Sequence, residues 1–114
     1  MSDCLFCRFA QNEIPTNKVF EDEQVLAFRD IAPQAPTHVL IIPKRHIASA
    51  QALTKDDAAL WLHMIEVAQT VAASEGIAET GYRLVTNIGA DAGQSVPHLH
   101  LHLLGGRTLE WPPG

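Results

Sequence analysis

The sharpest pattern of polar and apolar positions lies near the end of the chain, in Pro97-His98-Leu99-His100-Leu101-His102-Leu103-Leu104-Gly105-Gly106. Successive side chains of a strand point to opposite faces, so a strand here places His98, His100 and His102 in one row and Leu99, Leu101 and Leu103 in the other. One row suits chemistry and the other suits a core. Alternate strand residues lie about 6.5 to 7 Å apart, so a phosphate-sized group beside the middle ring is also within reach of an outer one. Pro97 fits the first position of that strand, where its missing N–H costs least. Upstream, Lys18-Val19-Phe20-Glu21 and Val25-Leu26-Ala27-Phe28-Arg29 flank Asp22-Glu23-Gln24, which predicts a hairpin with a three-residue loop. Val39-Leu40-Ile41-Ile42, ended by Pro43, is a continuous apolar run and predicts a central strand covered on both faces. Tyr82-Arg83-Leu84-Val85-Thr86-Asn87 predicts a further strand.

Helical spacing occurs over one long stretch. Thr54-Lys55-Asp56-Asp57 has capping-box spacing and predicts a helix start, and Glu75-Gly76 predicts its end. Leu60, Met64, Val67 and Val71 form one apolar stripe, and Trp61, Ile65, Ala68 and Ala72 form a second beside it. Together they are wider than one sheet contact requires, which predicts packing on a second subunit as well. His63 lies on the same helix and reads as structural. At the N-terminus, Cys4-Leu5-Phe6-Cys7-Arg8-Phe9-Ala10 predicts a short helical turn before Glu13-Ile14-Pro15.

A chain of 114 residues makes one domain with one core, small enough that a partner subunit would help bury apolar surface. With 46% hydrophobic and 18% charged residues the composition is that of a soluble globular protein. A formal charge of -5 argues against a nucleic-acid partner, yet a small anion can still be held by backbone amides and histidines. No apolar run approaches a membrane span and Met1-Ser2-Asp3-Cys4 does not open a signal peptide, so the expected location is cytoplasmic, with no membrane partner.

The chemistry-bearing residues leave alternatives open. A histidine row can be a solvent-facing sheet surface, a metal site, or a set of acid–base and nucleophilic groups, because imidazole titrates near neutral pH. Cys4 and Cys7 can be a redox pair, a zinc half-site or buried thiols; a thioredoxin-type motif wants a preceding strand, which nothing upstream supplies. His38 and His46 stand a strand length apart and are expected to have separate roles. The loop at 88–96, before the histidine row, carries Gly89, Gly93 and Ser95 and can present backbone N–H groups to an anion. Trp111-Pro112-Pro113-Gly114 is a stiff tail with a large aromatic that can dock on something.

In this order, Phe28-Arg29-Asp30-Ile31, Pro33-Gln34-Ala35-Pro36-Thr37-His38, Ile42-Pro43-Lys44-Arg45-His46-Ile47, Gly93-Gln94-Ser95, His98 to His102, Leu104-Gly105-Gly106-Arg107 and the Trp111 tail resemble the histidine-triad (HIT) superfamily. Within it the resemblance is to the Hint branch of purine nucleoside phosphoramidases, over nearly the whole chain. It implies an α+β fold: a five-stranded antiparallel sheet with one long helix and a short N-terminal helix, in a single domain over 1–114. It further implies a homodimer with a continuous sheet, and a tail, 109–114, near the partner's active site. The implied activity is hydrolysis of the P–N bond of purine nucleoside 5′-phosphoramidates, with aminoacyl-adenylates as related substrates, releasing AMP or GMP and needing no organic cofactor. The alternatives are a dinucleoside polyphosphate hydrolase of another branch and a nucleotide-binding scaffold.

Carried over by position, the resemblance implies His100 as nucleophile, His102 as the group on the phosphate and leaving-group side, and His38 as the residue that orients them. It implies that Asn87, Ser95 and the amides around Gly93 and Gln94 hold phosphate oxygens. Asp30 is then the ribose partner, Phe6, Ile14 and Phe28 surround the purine, and Trp111 shapes leaving-group choice. The cysteine pair departs from animal Hint proteins and is shared with many bacterial relatives. In zinc-containing relatives the ligands correspond to Cys4, Cys7, His46 and His98, which implies a structural zinc site.

Overall fold

The computed structural model describes residues 3–114. Five strands form one antiparallel sheet in the order β1-β2-β3-β5-β4: β1 (Lys18–Glu21), β2 (Val25–Arg29), β3 (Thr37–Pro43), β4 (Tyr82–Val85) and β5 (Leu101–Gly105). Two α-helices complete it, α1 (Leu5–Ala10) and α2 (Ala58–Ser74). The β1–β2 hairpin closes over Asp22-Glu23-Gln24 as its pattern predicts. The Asp22 carboxylate accepts the Gln24 and Val25 N–H groups at 2.8 Å each, a side-chain turn that adds to the Asp22 N–H bond to the Val25 carbonyl at 3.0 Å.

Every residue of β3 is buried, because the sheet is covered on both faces. On one face Val25, Ala27, Val39, Ile41, Leu101 and Leu103 pack against Met64, Val67, Ala68, Val71 and Ala72 of α2. On the other, Leu26, Phe28, Leu40 and Ile42 meet Phe6 of α1. Alternation along each strand therefore feeds two separate apolar layers. Full burial of each Val, Leu, Ile, Met or Phe side chain among them contributes about 1.5 to 3 kcal/mol.

The long helix opens one turn later than its sequence suggests. Thr54 does form a capping box with Asp57, but the turn it caps, Lys55–Asp57, is 3₁₀, and the α-helix proper begins at Ala58. A tightened first turn is common at helix N-termini. The helix ends as expected, with Gly76 at φ 75°, a left-handed position that suits glycine. Strand β4 stops at Val85 rather than Asn87. Past β5, Gly106 at φ 92° turns the chain against Pro36, where an added Cβ would sit 2.9 Å from the proline Cβ. His63 is a structural clasp, its Nε2 lying 2.6 Å from the Asp22 carboxylate, and so it ties α2 to the hairpin.

Candidate active site

The strand carrying the histidine row begins at Leu101, four residues after Pro97, so only His102 lies within β5. The reason is a shortage of neighbours: β3 pairs with β5 from Leu101 onward and β4 from His102 onward. The preceding segment is held by other bonds. Leu99 N–H donates to the Ile47 carbonyl at 2.6 Å and the Thr86 hydroxyl to the His100 carbonyl at 2.9 Å. The alternation survives outside the ladder. Leu99 joins the α2 core, while His98 and His100 are 0% and 5% exposed on the opposite side, so the histidine row is not a solvent face.

That row divides into one residue facing the cysteines and two facing a cavity. His98 donates through Nε2 to the Pro43 carbonyl at 2.8 Å, since a carbonyl only accepts, and this leaves the Nδ1 lone pair free to bind. Its Nδ1 lies 3.2 Å from Cys4 Sγ, 3.5 Å from Cys7 Sγ and 3.2 Å from His46 Nδ1, and His46 Nδ1 is 3.3 Å from Cys7 Sγ. All four donor atoms lie within 4.8 Å of one another. A tetrahedral zinc ion with ordinary Zn–S and Zn–N bonds would set such donors about 3.3 to 3.8 Å apart. The set fits zinc in identity and spacing. Burial holds the His98 ring below the usual histidine range, which keeps that lone pair available.

His100 stands 5% exposed with its Nδ1 donating to the His98 carbonyl at 2.7 Å. In the neutral ring this fixes the tautomer, so Nε2 carries the lone pair. The Phe6 ring meets His100 edge-on at 5.1 Å between centroids. A second chain of bonds sets the other two rings. The Gln34 N–H donates to His38 Nδ1 at 3.0 Å, so the His38 proton is on Nε2, which lies 2.9 Å from His102 Nδ1. His102 Nδ1 therefore accepts, and its own N–H is on Nε2. Asp30 Oδ2 is 3.5 Å from His38 Nε2, while Oδ1 accepts the Ala32 N–H. His38 and His46 have separate surroundings, as expected from their spacing. Among the described residues His98 groups with the cysteines and not with His100 and His102, so a metal site built from all three triad rings is not formed.

A cavity of about 270 Å³ opens beside these groups, lined by Phe6, Phe28, Asp30, Ser95, His100 and His102 from the expected set. Leu5, Phe9, Thr16, Leu40 and Val96 line it too, and sequence reasoning did not assign them to the site. Leu5 and Phe9 are four apart on α1, with Phe6 beside them, so helical spacing from Phe6 is the signal that could have found them. Ile14 is not on this wall. Asn87 lies across His102, in a second cavity of about 580 Å³ that also touches Gln34, His38, Asp91 and Pro113. His102 is common to both cavities.

The glycine loop is used differently from its pattern. Gly93 N–H donates to the Ala90 carbonyl and Gln94 N–H to Gly89, so both amides are engaged inside the loop. The Gln94 side chain closes it further, accepting from Gly89 N–H and donating to the Ala48 and Val96 carbonyls. Ser95 and Val96 are the loop residues that reach the smaller cavity. In the tail, Trp111 is 80% exposed with the Arg83 guanidinium 5.9 Å from its ring centroid, while Pro113 and Gly114 reach the cavity beside His102 of the same chain.

Burial lowers the pKa values of His38 and His102, the latter to about 4. Below the ordinary histidine pKa of about 6.5 the unfolded chain therefore binds protons that the folded chain refuses, and stability falls as pH drops toward 4. The paired carboxylates Glu21, Asp22, Asp57 and Glu75 have lowered values and lose their contribution only in a more acidic window. The urea midpoint at about pH 5 should thus lie below that at about pH 7.5, and His102→Gln should shrink the difference. An equal difference in the variant would show that His102 does not carry the effect.

The family described as HIT domain matches residues 11–109. A HIT-like protein of Synechococcus elongatus is 51% identical over 98% of this chain and 97% of its own length. Among solved structures, a HIT family hydrolase from Legionella pneumophila superposes with a TM-score of 0.97 at 56% identity, covering 98% of this chain and 100% of that one. Another HIT family hydrolase, from Clostridium thermocellum, gives 0.93 at 47% identity over 96% of each. The chain belongs to the HIT domain family, and its sheet, long helix and short N-terminal helix are those of the HIT fold. No helix among the described residues is long and apolar enough to cross a membrane.

Proposed function

We propose that this protein hydrolyses the P–N bond of purine nucleoside 5′-phosphoramidates, with aminoacyl-adenylates as related substrates, releasing AMP or GMP. The observation that carries the reading is the His100 Nδ1–H bond to the His98 carbonyl, which leaves Nε2 as a lone pair beside the cavity of Phe6, Phe28 and Asp30. Nε2 attacks the α-phosphorus, the P–N bond breaks, and the amine leaves with a proton. Water then cleaves the resulting nucleotidyl-histidine, so one difficult displacement becomes two easier ones. His102 is neutral in the free protein, and a bound anionic phosphoryl group favours its protonated form, making it the acid for the amine. Having lost that proton, it is the base for water. His38 positions it. The Ser95 hydroxyl and, across His102, Asn87 hold phosphate oxygens on this reading, with Asp30 on the ribose and the phenylalanines around the base; their places on the two cavity walls support it.

Cys4, Cys7, His46 and His98 would hold a zinc ion, and four protein donors leave no open position, so its contribution is to brace the fold. A homodimer is supported by half-buried Trp61 and Ile65 beside Leu62, which is 58% exposed, and by β4 lying at one end of the sheet. A net charge of -5 disfavours a nucleic-acid partner, and a cytoplasmic location fits thiols that stay reduced. The test compares AMP release from adenosine 5′-phosphoramidate and from a diadenosine polyphosphate. Preferential turnover of the phosphoramidate supports the reading. Preference for the polyphosphate replaces it with the other HIT activity, and AMP binding without turnover of either replaces it with a scaffold role.

A further inference from the structure

The four-donor cluster and the nucleotide cavity share walls. Phe6 sits in the chain between Cys4 and Cys7, and its ring packs at 5.5 Å on Phe28 and at 5.1 Å on His100. Leu5 lines the nucleotide cavity and also a third cavity of about 380 Å³ that opens onto Cys4 and His46; Ser95 and Val96 line both as well. His98 joins the two sites again, its ring lying within the cluster while its carbonyl holds the His100 proton. Cys7 is buried at 7% exposure, whereas Cys4 is half-buried and His46 exposed. The cluster is thus reachable from solvent on its Cys4 side, and whatever moves α1 moves the wall of the cavity.

We propose that Cys4 and Cys7 are a peroxide-sensitive clasp on the nucleotide site, whose oxidation to a disulfide unfastens α1 and weakens nucleotide binding. The nucleotide part of this inference rests on the function proposed above. The Cys4 thiolate attacks a peroxide oxygen, the O–O bond breaks to give a sulfenic acid and, with a proton, water. The Cys7 thiolate then displaces the sulfenic hydroxyl, which leaves with a second proton as a second water. The pair loses two electrons and the peroxide gains them. The two sulfurs start within 4.8 Å and must close to about 2.0 Å, which draws them out of the positions that face His46 and His98. Two imidazoles remain, too few for a closed tetrahedral site. With those donors gone, α1 loses the anchors that face His46 and His98 and keeps the packing of Phe6, Phe9 and Ala10.

The experiment uses the full chain, reduced and zinc-loaded, before and after hydrogen peroxide. It follows thiol loss by alkylation and mass, zinc release by a chromogenic chelator, hydrogen exchange of amides 5–11, and AMP affinity by calorimetry. The expected result is two thiols lost per zinc released, faster exchange in α1, and recovery on adding a dithiol with zinc. If α1 is docked a tenth of the time, AMP affinity falls about tenfold. A disulfide that forms while α1 exchange and AMP affinity stay unchanged overturns the proposal. So does peroxide that leaves both thiols intact. Cys4→Ala retains three donors and cannot form the disulfide, so peroxide should leave its AMP affinity at its own untreated value; a fall there places the effect elsewhere and overturns the clasp. If the reduced protein binds no AMP, the nucleotide reading fails, and the exchange of α1 still decides the clasp.

Discussion

On the proposed mechanism His100→Ala should lower phosphoramidate hydrolysis by on the order of 10⁴- to 10⁶-fold while leaving AMP binding within a few-fold of the parent chain, because the ring would supply the attacking atom and the cavity walls the affinity. The size follows from losing the covalent route altogether. Other groups keep their places: the His38–His102 bond does not pass through His100, and Phe6 and Phe28 still pack on each other. Rapid-quench experiments on the parent chain should trap a nucleotidyl group on His100, and the variant should trap none. A variant that keeps more than about a tenth of the activity would remove His100 from the nucleophile's role.

His102→Gln should have the next largest effect on that mechanism, a loss of about 10²- to 10⁴-fold that depends on the leaving group. A basic alkylamine can depart only with a proton, whereas a weakly basic arylamine departs more readily without one. The variant should therefore lose most on the alkylamine substrate and least on the arylamine, and a series of phosphoramidates graded in amine basicity checks this. A uniform loss across the series would mean that His102 holds the phosphate and transfers no proton. His38 enters the same experiment as a positioning residue, since its Nε2–H, set by the Gln34 amide on Nδ1, orients His102.

Much of this arrangement was legible in the sequence where the signal was local. The hairpin around Asp22-Glu23-Gln24, the doubly covered β3 and the end of α2 at Gly76 follow from period and turn chemistry in nearby residues. The separate surroundings of His38 and His46 follow from the strand length between them. What escaped depended on neighbours distant in the chain. The start of β5 is set by where β3 and β4 offer partners, a property of pairing that the alternating run at 97–104 does not contain. The loop at 88–96 looked like a row of open amides because glycine content reports permissiveness alone, and the Gln94 side chain decides which amides are spoken for. Leu40 reads as part of a covered strand and Val96 as the end of a loop, and their place on the cavity wall appears only once α1 is laid against the sheet.

The double covering of the sheet has a consequence for how substitutions can be read. From Leu99 to Leu103, odd positions enter the α2 layer and even positions face the cavity, so neighbouring residues answer to different demands. A saturation scan across this segment, scored once for abundance and once for turnover, should show the two scores peaking on alternate residues. Leucine positions would tolerate apolar exchanges in turnover yet lower the amount of folded protein, and His100 and His102 would do the reverse. His98 breaks the rhythm. It lies on the even side but is tied to both scores, so the place where the period of two fails would mark, from variant data alone, the residue that couples the fold's anchor to its chemistry.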